Sequence, residues 1–139
     1  MSLMPFTPEW ADALRGAINA DESYRHAARG WTWPMALVLS ADSRLGYPEA
    51  VAIELQLNRG DCAGATVMSP VDVTAPFVLQ ADYATWKEIV LGELDPLIAV
   101  VRGRVVFAGK LTTLLLHAKA AKAMVVCARR VPTQFTANH

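Results

Sequence analysis

Very little in this chain could make or break a bond. Its 139 residues include two cysteines and three histidines. His26 follows Arg25, His117 stands between Leu116 and Ala118, and His139 is the last residue. No HxH or HExxH spacing therefore offers a set of metal ligands. There is no G-x-S-x-G elbow, and Ser40, Ser43 and Ser69 fall at turns or strand ends. Cys62 and Cys127 lie in apolar stretches with no neighbour that would lower a thiol pKa. Two free, buried thiols in a reducing compartment fit better than a disulfide. Glu93 and Asp95 are close in sequence, but they read as a solvated loop residue and a helix cap. The glycine-rich run Gly60 to Gly64 lacks the lysine of a phosphate loop. No catalytic residue, metal or cofactor is expected, and hence no enzyme.

Charge of one sign is also missing. Thirteen basic and thirteen acidic residues cancel. Without a basic stripe, nucleic acid is not an expected partner. No polybasic run suggests electrostatic docking on a membrane. The first ten residues have neither a basic n-region nor an apolar h-region, so no secretory signal is expected. The longest apolar helical stretch, Leu111 to Cys127, is interrupted by His117, Lys119 and Lys122, which speaks against a membrane span. A cytoplasmic protein is the default expectation.

What the chain has is apolar residues, at 53% of its length. That is high for a globular domain. The surplus could line a cavity, form a dimer face or thicken a core. The length suits one domain, placed at residues 5–132, with 133–139 read as a disordered tail.

Thr7-Pro8 opens a helix whose Trp10, Leu14, Ala17 and Ile18 share one face. Asp21 caps a second short helix, ended near Gly30. Trp31 to Ala41 is a strand candidate, with Pro34 near an edge or at the strand start. Val51, Ile53, Leu55 and Leu57 alternate with Ala52, Glu54 and Gln56, so the odd positions should face the core and the even ones solvent. Asn58 to Asp61 is a hairpin turn. Gly64 weakens the next strand, Cys62 to Met68, and suggests a bulge or a close approach. A loop over Ser69 to Pro76 leads to the strand Phe77 to Ala81.

Asp82 caps the next helix and Gly92 ends it. Asp95-Pro96 opens a short helix with apolar residues on nearly every side, which should therefore be enclosed. Arg104 to Ala108 is a fifth strand. One last helix should run from Leu111 to about Arg130, stopped by Val131-Pro132. Strands with helices before and after them give an α+β domain, a five-stranded, mostly antiparallel sheet with helices on one face.

The ordered set Ala81-Asp82-Tyr83-Ala84-Thr85-Trp86, Gly92-Glu93, Asp95-Pro96, Arg102-Gly103-Arg104-Val105 and Gly109 resembles the second half of the sterol carrier protein 2 family. The likeness covers about Phe77 to Leu115. At Lys110 the chain departs from the acidic or polar residue expected after the glycine. The resemblance implies the same fold, with an apolar tunnel between sheet and helices.

It also implies a role for twelve apolar residues: Phe77, Leu79, Trp86, Ile89, Val90, Leu97, Ile98, Val101, Phe107, Leu111, Leu114 and Leu115. Periodicity alone reads such a set as core. The resemblance makes them the ligand-binding wall of a tunnel, with Gln80, Thr112, Thr113 and His117 as candidate polar anchors. The expected function is then non-catalytic binding or transfer of a lipid, whether a fatty acid, an acyl-CoA or a sterol-like molecule. The alternative is an accessory or dimerisation module, paired with a second copy or a lipid-metabolising enzyme. A cavity on the order of 300–1,000 Å³ would suit the first. Gly92 and Gly103 are the expected hinges. A Gly92→Ala change should slow ligand release with little effect on the fold, provided the backbone angles admit alanine.

Overall fold

The computed structural model describes residues 2–136. Among them are six helices and five strands, in the order α1 (Pro8–Asn19), α2 (Glu22–Ala27), β1 (Met35–Leu39), β2 (Val51–Asn58), β3 (Asp61–Met68), β4 (Phe77–Ala81), α3 (Tyr83–Val90), α4 (Pro96–Val101), β5 (Val106–Ala108), α5 (Leu111–Leu116) and α6 (Ala118–Arg130). The strands form one sheet in the order β3-β2-β1-β4-β5. Three of its pairings are antiparallel, and β1 with β4 is parallel.

Each expected cap is made. The Thr7 hydroxyl accepts from the Trp10 amide, and Asp21 accepts from Tyr24. Asp82 accepts from Thr85, and Asp95 from both Leu97 and Ile98. Each satisfies amides that the first helical turn leaves without a partner. The hairpin turn has Arg59 and Gly60 both at positive φ, 52° and 91°, as the primed turns of tight hairpins require. A Cβ on Gly60 would stand 2.7 Å from the Arg25 carbonyl oxygen, so the turn also packs against α2. The register of β2 against β3 slips between Leu55 and Leu57, opposite Gly64, which is the bulge the glycine suggested.

One row of partners crosses the whole sheet: Val67, Ile53, Leu37, Leu79 and Phe107. Side chains in register point to the same face, and this face receives the helices. The odd positions of β2 behave as expected. Of the even positions Ala52, Glu54 and Gln56 only the last is exposed; Ala52 is fully buried, and Glu54 is buried too, at 6% exposed. The Glu54 Oε1 accepts hydrogen bonds from the Thr74 amide at 2.9 Å, the Thr74 hydroxyl at 3.3 Å and the Ala75 amide at 2.6 Å. The loop before β4 therefore folds over the outer face and covers the carboxylate it bonds. The first strand is also shorter than expected, and all five of its residues are buried. Pro34 immediately precedes it, and the strand lies at the centre of the sheet, not at an edge.

Three further expectations are corrected. The single last helix is two, broken at His117, whose ψ of 34° leaves the helical region. The fifth strand is confined to Val106–Ala108. Residues 133–136 are held in place: the Leu3 amide donates to the Pro132 carbonyl, the Gln134 amide to that of Leu3, and the Thr136 amide to the Tyr83 hydroxyl. These bonds give the segment backbone partners that a free tail lacks. Residues 137–139 lie outside the described part of the chain.

Candidate functional site

Between the helix-facing side of the sheet and the helices is an apolar cavity of about 80 Å³. Leu37 and Leu79 form its floor, from the row described above. Its walls come from every helix: Trp10 and Leu14 of α1, Tyr24 of α2, Trp86, Ile89 and Val90 of α3, Leu97 of α4, Leu114 of α5, and Ala120, Ala121 and Met124 of α6. Small residues on α6 leave the space, because an alanine at a wall position reaches less far than the leucines opposite. The one strongly polar side chain at the wall is His117.

His117 is oriented from two directions. Its Nδ1 lies 2.9 Å from the Thr113 carbonyl oxygen. A carbonyl can only accept, so Nδ1 carries the proton and Nε2 is the acceptor of the neutral ring. Trp31 and Trp33 meet the imidazole edge-on, at centroid distances of 5.2 and 6.0 Å. The ring thus takes the carbonyl that the His117 amide would use in a continuous helix, and that amide bonds the Leu114 carbonyl instead. Nothing in the sequence marks this break, since neither glycine nor proline is present there.

Of the twelve residues singled out from sequence, Leu79, Trp86, Ile89, Val90, Leu97 and Leu114 line the cavity. Phe77 is buried beside it against Trp31, at a centroid distance of 4.7 Å, and Phe107 packs on Phe77. Ile98, Val101, Leu111 and Leu115 face solvent. A helix of six residues packed on one side can bury only part of its circumference, so α4 is not enclosed: Pro96, Leu97 and Ala99 are inside, and Ile98 and Val101 are outside. Among the candidate anchors only His117 reaches the cavity; Gln80 and Thr112 are exposed. The residues missed include Trp10, Leu14, Tyr24, Trp31 and Leu37 of the first half of the chain and Ala120, Ala121 and Met124 of α6. For those of the first half the signal was the buried face of α1 and the apolar strand β1, which does not distinguish a cavity wall from a core, and the α6 residues lie beyond the stretch that the resemblance covered.

Both cysteines are free and buried. Burial, with the negative charge of Asp21 next in size, pushes the Cys127 thiol up to about 12. Burial likewise raises that of Cys62. Neither presents a thiolate near neutral pH. Ellman's reagent at mildly alkaline pH is expected to find no fast-reacting thiol in the native protein and both on unfolding in urea. Rapid native labelling would contradict this burial.

The expected hinges do not admit alanine. Gly92 and Gly103 have φ of 80° and 76°. A Cβ at Gly92 would also collide with the Arg129 guanidinium. The Gly92→Ala change is therefore expected to cost about 1–2 kcal/mol through its left-handed backbone, and not to be neutral for the fold. Chemical denaturation would show this as a lowered midpoint, and an unchanged midpoint would refute it.

Among the described residues no three histidine, cysteine or acidic side chains gather as metal ligands, and no helix is long and apolar enough to cross a membrane. Comparison with models of known families gives no match. Comparison with curated proteins gives none either. Solved structures do match. A crystal structure of sterol carrier protein 2 is 39% identical over 91% of this chain and 98% of its own, with a TM-score of 0.86. The solution structure of a conserved hypothetical protein from Thermus thermophilus is 38% identical over 96% of this chain and 94% of its own, with a TM-score of 0.87. Sterol carrier protein 2 of Yarrowia lipolytica, in its apo form, shares the fold at 14% identity and a TM-score of 0.56, over 86% and 88% of the two chains.

Proposed function

We infer, since this chain belongs to the sterol carrier protein 2 family, that it binds a lipid with a long acyl tail, without chemical change, in the apolar space between sheet and helices. The observation that supports this reading is the cavity itself, walled by apolar side chains from all six helices and lacking a nucleophile-base pair.

At about 80 Å³ the cavity is too small for the whole ligand, since sites for drug-sized molecules run to about 300–1,000 Å³. Binding therefore requires the walls to part. Each buried methylene contributes about 0.8 kcal/mol, so a sixteen-carbon tail offers about 12 kcal/mol before costs. Micromolar affinity needs about 8 kcal/mol. The difference, about 4 kcal/mol, already equals the low end of the association cost, so the opening itself must be nearly free. Only a weakly held element can move at so small a cost. Helix α5 fits: it has six residues, no side-chain cap at Lys110, one buried residue in Leu114, and a break at His117. The lipid tail would displace α5 and lie along Leu79, Trp86 and Leu97, with His117 at the polar end.

The cavity's small size favours a second reading, an accessory or dimerisation module of the same fold for a lipid-metabolising enzyme. Displacement of cis-parinaric acid by palmitate separates the two. Saturable one-to-one binding near micromolar is expected, reduced at least about tenfold by Ala121→Phe, which fills the space beside Leu114. No palmitate binding by the native protein, or equal binding by Ala121→Phe, would leave the module reading standing.

A further inference from the structure

Besides His117, the cavity wall carries one polar group whose use the fold does not explain. The indole N–H groups of Trp10, Trp31 and Trp86 are all occupied, donating to the Thr133 hydroxyl and to the Trp33 and Val38 carbonyls. Two of the three tyrosine hydroxyls are paired as well, Tyr47 with the Pro5 carbonyl and Tyr83 with the Thr136 amide. Tyr24 lines the cavity and is 1% exposed, yet among the described residues its hydroxyl has no hydrogen-bond partner. Its one bond to a side chain runs through the backbone amide, to Asp21. Among the described residues no fully enclosed side-chain oxygen or nitrogen lacks a partner. The Tyr24 oxygen therefore borders open space, and the space its side chain lines is the cavity. Burial, followed by the nearby Cys62 and Cys127, pushes the phenol above its ordinary range. It stays protonated and can donate as well as accept.

The same neighbours locate the group along the cavity. Helix α2 packs on α6, and Cys127 is the tenth residue after His117. Ten helical residues rise about 15 Å. The wall residues Ala120, Ala121, Met124 and Val125 lie in that interval. Half the hydrocarbon core of a bilayer, the depth that one tail spans, is also about 15 Å. A tail that starts at His117 and follows α6 thus ends beside Tyr24. A plain methyl end there would leave the hydroxyl unpaired against an apolar group, which weakens binding. A trapped water is no remedy. It needs about two to four polar partners, and away from His117 the rest of the wall is apolar or already paired.

We propose that the lipid taken by this cavity carries an oxygen near the far end of its chain, a hydroxyl or keto group that pairs with the Tyr24 hydroxyl. The proposal rests on the lipid-binding reading above and adds to it a polar contact at the end of the tail remote from His117. Tyr24 then sorts chains by their far end, because a site built to bond a hydroxyl discriminates against the analogue that lacks one.

Displacement of cis-parinaric acid from the full chain by palmitate, ω-hydroxypalmitate and α-hydroxypalmitate tests this. The ω-hydroxy acid is expected to bind about tenfold more tightly than palmitate, and the α-hydroxy acid to show no such gain. Tyr24→Phe should reverse the order of palmitate and the ω-hydroxy acid, since the ligand's hydroxyl is then the unpaired one. Its thermal midpoint should not fall, because the group removed has no partner in the fold. Equal binding of palmitate and the ω-hydroxy acid overturns the proposal, as does a preference that survives in Tyr24→Phe or an equal gain for the α-hydroxy acid. So does a lowered midpoint, which would mean that the hydroxyl is bonded within the fold. In each of these cases palmitate binding still stands as measured, and only the role of Tyr24 falls. If neither palmitate nor the ω-hydroxy acid displaces parinaric acid, the lipid-binding reading falls with it.

Discussion

Leu114→Arg is expected to abolish palmitate binding and to destabilise the fold by about 3 kcal/mol or more. Leu114 is 2% exposed and is the only buried residue of α5. An arginine there loses the leucine's packing and places a guanidinium against Trp86, Leu97 and Ala121, all of which line the same cavity. None of these can pair it. The cheapest escape is for α5 to swing outward, which opens the cavity to water and removes the apolar wall. Leu114→Met keeps volume and polarity and should cost under about 1.5 kcal/mol, with binding retained. Urea titration gives the stability and parinaric acid fluorescence the affinity. Full-strength binding by the arginine variant would put the ligand elsewhere.

Trp10→Ala should lower stability by about 3–5 kcal/mol, the range for removing a large buried aromatic side chain. Trp10 is 1% exposed. Its ring stacks on Phe6 with centroids 5.5 Å apart, and its Nε1–H donates to the Thr133 hydroxyl at 2.8 Å. It thus joins α1 to the segment that follows α6. Trp10→Phe keeps a six-membered aromatic ring but drops the hydrogen bond and the pyrrole part of the indole, so its cost should lie between about 1 kcal/mol, for the bond alone, and the alanine value. A loss under about 1.5 kcal/mol for the alanine variant, from urea midpoints at an unchanged slope, would mean that the site collapses to fill the space.

The helix starts were legible because their causes are local. A side-chain oxygen three residues before an amide, with or without proline at the first position, identifies Thr7, Asp21, Asp82 and Asp95 without knowledge of the rest of the fold. The bulge opposite Gly64 was legible for the same reason. Glu54 was not, since its burial is decided by Thr74 and Ala75, which reach it only once the sheet exists. Nor was the break at His117, which depends on a ring bonding back to Thr113. For the cavity, the resemblance covered Phe77 to Leu115 and drew attention to that half alone. Trp10, Tyr24 and Trp31 come from the other half, and amphipathic periodicity marks a buried face without saying whether it touches another side chain or a void. Ile98 and Val101 were misplaced because apolar character was taken for enclosure, where six residues of helix have too few inward positions.

The parallel pairing of β1 with β4 bears on the order in which the molecule assembles. The strands β1, β2 and β3 form a meander whose neighbours in space are neighbours in sequence, and both connections are far shorter than the path from β1 to β4. The match of Met35 to Phe77 can form only after the chain has passed through both hairpins and crossed back. The cost of closing so long a loop is met late. The second half, which includes α5, the helix proposed to part from the cavity, is then expected to join a sheet already three strands wide. On that order the first half is the template and the second half the part added to it, and α5, with no side-chain cap and one buried residue, belongs to the added part.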